Sequence, residues 1–439
     1  MNIFLLITHH PSPITHHILL VASRVPRLDF LMNYVLLAVP YFILAMGIEY
    51  VYGAIVKKQT YRLSDTVNSL QLGTLSRLMD VLHLGFGALV AGALVRWMGV
   101  PQWSMASAWQ WIGAFIAYDI CYYWKHRYGH EWRILWASHI AHHQSEEFNL
   151  STALRQTGTD YIGFVFFIPL FLVGVPAAAV LTVGSLNLIY QFWVHTEHVR
   201  RIGPLEWILV TPSNHRVHHA RNPEYLDKNY GGVFILWDRL FGTFKDERAD
   251  TPCVYGITTG LHSWNPLWAN VHFWLDTGRI SWRTKQWGDK FKIWFKAPAW
   301  VPSDMTPQKT DWRQPKFDPP TSAFTRGYIF LQLWIITFAS LWLLDAEKNL
   351  PRSLVLVAFI WLLCSFYAQG AWLEGRPRAA TMEWLRIGSA LLLAAALRTL
   401  WQSLPESYGL ALGGYALLSA AAVAMRHIIP PLVSPTRHP

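Results

Sequence analysis

The chain has 439 residues, of which 52% are hydrophobic, 15% aromatic and only 15% charged. Soluble globular domains carry about a quarter charged residues, so the composition excludes an ordinary soluble enzyme and points to a membrane protein with a sizeable water-facing part. The excess of 37 Lys+Arg over 27 Asp+Glu fits the basic bias of cytoplasmic loops better than a nucleic-acid surface. The scattered Cys121, Cys253 and Cys364 exclude a disulfide framework.

Residues 1–31 read as an N-terminal extension of uncertain standing. Their Arg24 and Arg27 oppose the orientation set by every later loop, and Met32 offers an alternative start. Apolar runs of about 20 residues can span a bilayer, which predicts spans over 30–56, 72–95 and 108–124. The pair 161–175 and 177–194, hinged at Gly174-Val175-Pro176, is short enough to be either a spanning or a re-entrant hairpin. Four more runs follow at 323–344, 353–370, 383–400 and 410–425. Lys57, Lys58 and Arg62 put the first loop in the cytoplasm. Counting forward places 125–160, 195–322 and the Arg376/Arg378 loop on the same side.

From 277 the composition changes. Arg279, Arg283, Lys285, Lys290, Lys292 and Lys296 alternate with Trp282, Trp287, Trp294 and Trp300, the pattern of an amphipathic helix on an anionic membrane surface. A Pro-rich linker carries the chain to 322. The expected architecture is an all-α, polytopic integral membrane protein. It has a membrane domain over 32–276 with a cytoplasmic histidine-rich cap, an interfacial segment over 277–322, and a C-terminal four-helix module over 323–439 without nameable chemistry.

Ten of the 19 histidines fall between His126 and His219, and they are grouped. His126 and His130 are spaced i, i+4. His139, His142 and His143 are spaced i, i+3, i+4, as are His215, His218 and His219. His195 and His198 lie between. Residues three and four apart share a helix face, so each group can aim several imidazoles at one locus. Imidazoles at this density need a shared electrostatic reason, which metal coordination supplies. Their number exceeds what one ion takes, so two ions are expected. A structural zinc site would use cysteines, and none is near. A redox-active di-iron centre that activates O2 beside lipid is the sharper reading. Asp119, Glu131, Glu146, Glu147 and Glu197 are candidates to orient ligand rings or to balance charge. His83, His262, His272, His427 and His438 read as ordinary structural or surface residues.

The boxes His126-Arg-Tyr-Gly-His130, His139-Ile-Ala-His-His143 and His215-Arg-Val-His-His219, separated by an apolar hairpin, resemble the fatty acid hydroxylase / sterol desaturase superfamily of membrane di-iron enzymes. The stretches Tyr118–His126, Glu147–Gln156, Gln191–Glu197, Thr211–His219, Asp227–Gly232 and Trp237–Phe244 resemble its ether-lipid-cleaving alkylglycerol monooxygenase branch. The resemblance covers roughly 41–276. It implies that His126, His130, His139, His142, His143, His195, His215, His218 and His219 bind metal. It leaves His198, three rather than four residues after His195, either a tenth ligand or a loop cap. It also marks Glu131 as a required acid. Asn214 stands where relatives often have another histidine, so no ligand is needed there.

The reaction so implied is O2-dependent hydroxylation of the ether-linked carbon of an O-alkylglycerol, with collapse to a fatty aldehyde and a glycerol derivative. Two Fe ions would carry it, with tetrahydrobiopterin as reductant. Such C–H chemistry is beyond side chains alone. Asn149, Arg155, Gln156 and Tyr190 are candidate headgroup or pterin contacts. The expected partners are the lipid substrate and the membrane, without nucleic acid, and a separate electron donor if no pterin serves. Rival readings are another lipid oxidation of the same superfamily (sterol, acyl chain or amino-lipid) and, from a different class, a metal transporter or sensor. Transport is disfavoured because the histidines lie at one membrane surface instead of along the spans.

Overall fold

In lipid only a helix or a closed barrel satisfies its own backbone, so the apolar runs of this chain have one open-chain solution. A computed structural model describes residues 34–79, 97–400 and 405–425, with 90, 92, 93 and 95. The extension over 1–31, half of the predicted second span and the basic C-terminal tail lie outside the described residues. Helices α1 (Tyr34–Ile55), α2 (Leu63–Leu78), α3 (Ala108–Glu131), α4 (Arg133–His143), α5 (Leu150–Ala153), α6 (Ile168–Leu172), α7 (Ala177–Trp193) and α8 (Pro212–His219) come first. They are followed by α9 (Leu236–Leu240), α10 (Pro266–Arg283), α11 (Trp287–Lys292), α12 (Ala323–Ala346), α13 (Arg352–Leu373), α14 (Ala379–Leu400) and α15 (Glu406–Met425).

Among the described residues five helices are long and apolar enough to cross a membrane: Leu37–Ile55, Ala323–Asn349, Arg352–Leu373, Ala379–Leu397 and Glu406–Met425. They expose large side chains such as Tyr41, Leu44, Ile55, Phe338, Leu392 and Leu418, as a lipid-facing surface requires. The chain is a multi-pass membrane protein, and its all-α class is as the sequence predicts. The predicted hairpin forms two shorter apolar helical segments, Gly163–Leu172 and Ala177–Trp193. Its hinge is Gly174, at φ +90°, where an added Cβ would lie 2.3 Å from the Pro101 carbonyl oxygen. The run over 108–124 is the first part of a longer helix that continues to Glu131 and buries Asp119, His126 and His130 on its inner face.

α2 differs from a lipid-facing helix. It buries Asp65, Asn68, Ser69 and Gln71 together with Val67, Leu75 and Leu78. Val67 joins Tyr328, Leu333, Trp372 and Ile387 in one apolar core, while Leu75 and Leu78 join Ile336, Phe359 and Phe366 in a second. The C-terminal helices thus pack directly on the helix that backs the cap. α10 starts at Pro266, capped by the Asn265 side chain, and runs through the 276/277 boundary. A break at Thr284 precedes α11, so the basic, Trp-rich stretch is a helical corner that exposes Trp282, Trp287, Phe291 and Phe295.

Candidate metal centre

The site is built on three short-range devices. Ser107 and Gln110 form a capping box that starts α3, which carries His126 and His130 on its last two turns. The helix stops at Trp132, in extended conformation (φ −112°, ψ 123°), and α4 begins at the next residue. This break folds α4 back on α3. The Arg133 N–H donates to Lys296 O at 2.9 Å, and its guanidinium donates to Trp300 O at 2.7 Å. The segment after α11 therefore holds the break in place. Thr211 and Asn214 form a second capping box, with Pro212 in the first turn, that starts α8. Asn214 is thus a capping residue, which explains why this position needs no histidine. His195 lies just past the end of α7.

Nine of the ten clustered histidines converge. His126, His130, His139, His143 and His218 form one group, and His142, His195, His215 and His219 a second; within each, one ring nitrogen per residue lies within 4.8 Å of all the others. The sharing is reciprocal. α4 gives His139 and His143 to the first group and His142 to the second. α8 gives His215 and His219 to the second group and His218 to the first. These two boxes therefore serve both loci, while His126 and His130 both go to the first, because residues i and i+4 lie closest on a helix face and the i+3 histidine is turned to the other side of it. The groups abut, with His143 and His219 stacked at 4.4 Å between ring centroids.

The donor chemistry fits metal ions. The Nδ1–H groups of His126, His142, His195 and His218 donate to Tyr230 O (2.8 Å), Arg155 O (2.9 Å), Gln191 O (2.7 Å) and Lys228 O (3.0 Å). A neutral imidazole has one proton, so the Nε2 atoms of these four rings carry bare lone pairs. Yet Nε2 of His195 and Nε2 of His142 face each other at 3.4 Å. Nε2 of His130 and of His218 are buried without a partner. Burial keeps most rings unprotonated, pushing His126, His139, His143, His195, His215, His218 and His219 well below the ordinary imidazole value and His142 to about 4. Converging lone pairs with few protons between them call for cations. Among the described residues neither group includes a carboxylate or a cysteine. Trp136 packs on His130 and His143, and Phe148 on His195 and His219, so the surroundings are apolar.

His198 is the exception. α7 ends at Trp193, so the spacing from His195 carries no helical meaning. The His198 ring lies in neither group and meets Tyr52 of α1 edge-on at 5.1 Å. Its Nε2 is buried without a partner. Glu131, the last residue of α3, is paired with Arg127 at 2.8 Å and is partly exposed. Asp119 is buried away from the rings. Its carboxylate accepts from Asn187 Nδ2 (2.6 Å), Val233 N (2.9 Å), Phe234 N (3.0 Å) and Trp237 Nε1 (2.9 Å). It thereby clasps the segment that follows α8. Asp119→Ala is expected to leave those donors unpaired at roughly 1–3 kcal/mol each and to lower the thermal transition by many degrees; an unchanged transition would contradict the clasp.

The four polar residues singled out as headgroup or pterin contacts are occupied within the protein. Asn149 caps α5 and donates to Thr60 O. Fully buried Arg155 donates to Ala141 O, Ser69 Oγ and Gln144 Oε1. Gln156 donates to Ala153 O, and Tyr190 to Val210 O. Glu146 and Glu147 pair with Arg62, Glu147 also with Lys316, and Glu197 with Lys58, so these acids tie the cap to its flanks. His262 and His272 lie outside both groups, as the sequence suggests.

Three supports escape sequence reasoning. Glu49, within a membrane-span candidate, accepts from Leu150 N at 2.8 Å and from the hydroxyls of Tyr61 and Thr196, pinning the His195 turn. Asp65 accepts from Glu146 N and Ser145 Oγ and fixes the end of α4. Asp238 accepts from Tyr230 N, Gly231 N and Thr243 Oγ1, and burial pushes its carboxyl up to about 6. For Glu49 and Asp238 the signal is an acid inside an otherwise apolar or aromatic stretch, whereas Asp65 sits among polar residues and gives none.

The fatty acid hydroxylase family model matches residues 111–243, the stretch that holds all nine converging histidines. The chain is 36% identical to the alkylglycerol monooxygenase of Homo sapiens, over 82% of this chain and 82% of that protein. It is 34% identical to that of Xenopus tropicalis, over 81% and 80%. An ornithine lipid hydroxylase of Rhizobium tropici is 31% identical over 36% of this chain and 47% of its own. No solved structure gives a significant match. The chain belongs to the alkylglycerol monooxygenase family.

Proposed function

We propose that this protein is an O2-dependent di-iron lipid monooxygenase that hydroxylates the ether-linked carbon of O-alkylglycerols, with tetrahydrobiopterin as reductant. One oxygen atom enters the C–H bond next to the ether oxygen, and the other leaves as water with two electrons and two protons from the pterin. The hemiacetal so formed collapses to a fatty aldehyde and the free glycerol hydroxyl. The observation that carries the reading is the pair of carboxylate-free histidine groups in a family named for this activity.

The five-histidine and four-histidine groups would each hold one iron, and the bound irons would supply the oxygen activation that side chains cannot. The protein's own part is to hold the donors and keep the surroundings apolar. A cavity of about 60 Å³ opens beside the first group, lined in part by His126, His139, Tyr122, Lys125 and Thr157. It supports a reacting carbon approaching on that side, with the Lys125–Asp160 ion pair (2.6 Å) marking its polar wall. The exposed Trp282, Trp287, Phe291 and Phe295 among lysines favour an interfacial corner resting on the membrane, on the cytoplasmic side by the loop charges. An alkyl tail then stays in lipid while its glycerol end meets the cap.

The test is an aldehyde assay on iron-replete protein supplied with a 1-O-alkylglycerol, O2 and tetrahydrobiopterin. Aldehyde that requires all three and vanishes in His142→Ala is the expected result. Iron bound without aldehyde would move the reading to another lipid or donor, a direction the ornithine lipid hydroxylase likeness keeps open. Glu131→Gln should cut turnover more than tenfold with iron content unchanged, since its carboxylate pairs with Arg127 outside both groups; matched loss of iron would make Glu131 a ligand.

A further inference from the structure

The turn over 227–232 was singled out in the sequence, but the reaction assigns it no task. We propose that this turn is a positioning element for the five-histidine group alone, so that the two metal positions are separately supported. The inference rests on the di-iron reading. Two of its carbonyls, Lys228 O and Tyr230 O, accept the Nδ1–H of His218 and His126, both in that group. Between them Asn229 is fully buried in the left-handed region, at φ +57°, and Asp227 is there too, at φ +58°. Asn tolerates that conformation better than most residues.

Asn229 is fastened on every side. Its Nδ2 donates to Asn214 O (3.0 Å) and Lys245 O (2.8 Å), its Oδ1 accepts from Lys245 N (2.8 Å), and its own N–H donates to Thr243 O (3.1 Å). The next amides are taken by Asp238 and, beyond Gly232, by Asp119. At Gly232 an added Cβ would come 2.8 Å from the Tyr122 ring and 2.9 Å from the Asp119 carboxylate, so the turn is seated on α3 as well. With its amides tied down, the turn presents two fixed carbonyls to two rings.

The four-histidine group draws on other elements. His142 is held by the carbonyl of Arg155, just after α5, and His195 by that of Gln191 in α7. A carbonyl on Nδ1–H fixes the tautomer, leaves Nε2 free for metal and raises its basicity, and loss of such a partner typically weakens metal binding roughly 10–100-fold. Loosening the 227–232 turn therefore acts on one metal position, and loosening Arg155 on the other.

The experiment is 57Fe Mössbauer spectroscopy with iron counting on full-length protein. Unlike donor sets should give the wild type two quadrupole doublets of similar area, and His130→Ala and His195→Ala assign one doublet to each group. Asn229→Ala is expected to lose about half the chelator-resistant iron and the doublet that His130→Ala removes. Arg155→Met should lose the other doublet. Asn229→Gly keeps the left-handed backbone accessible while deleting the side-chain bonds, so it separates lost positioning from failure to fold. Retention of both irons in both Asn229 variants, or loss of both irons in the folded Asn229→Gly protein, would overturn the proposal. A wild type that binds no iron would instead defeat the metal reading beneath it.

Discussion

His218→Ala is expected to abolish aldehyde formation, by more than about 100-fold, the upper range for loss of an outer partner. It should do so by emptying the five-histidine group, although His215 and His219 on the same short helix belong to the other group. The reason is the reciprocal sharing: α8 reaches the first group through His218 alone. The Nδ1–H of His218 is held by Lys228 O, and its Nε2 has no partner within the protein. Removing the ring takes away a donor that no neighbour can replace. Iron counting should show about one ion retained. Full activity, or loss of both irons from a folded protein, would contradict the division into two groups.

Acid should release the metal and then loosen the cap. The folded-state values of eight of the clustered histidines are lowered, with His142 at about 4 against an ordinary 6.5. Between those values the unfolded chain binds more protons than the folded one, so stability rises with pH there. The contribution is fully present above about pH 6.5 and is lost as pH falls through about 4. For His142 alone the shift corresponds to roughly 3 kcal/mol, at about 1.4 kcal/mol per pH unit. His126, His139, His143, His195, His215, His218 and His219 share the direction. Ligands must be unprotonated to bind, so metal affinity falls over the same window. A titration from pH 7 to 4 that follows bound iron and tryptophan fluorescence should show iron loss first and a fluorescence change after it. Iron retained undiminished at pH 4 would sever the link between these rings and the metal.

Much of the fold could be read directly. Long apolar runs at 323–344, 353–370, 383–400 and 410–425 became helices because lipid leaves them no alternative. α2 shows what such reading leaves out. Leu72, Leu75 and Leu78 look like the start of a span, yet the helix begins nine residues before Leu72 and buries Asp65, Asn68 and Gln71 against protein. Hydropathy registers apolar side chains but not what covers them. The polar residues proposed to meet the substrate show the same dependence on what packs around them. Arg155, Asn149 and Tyr190 have their own carbonyl partners, found only once distant segments pack.

The sequence by itself determined the helical class, the membrane character and the nine histidines, because composition and i, i+3, i+4 spacing are local properties that folding cannot rearrange. Only the tertiary structure decided which ring goes to which group. That choice depends on the break at Trp132 and on how α4 and α8 face each other, with neighbours such as His142 and His143 on different sides. It also placed the His198 ring outside both groups, because the helix that would have given its spacing meaning ends at Trp193. And it recast Asp119 as a clasp, since its four donors come from residues 68 to 118 positions away, a distance over which sequence spacing carries no information.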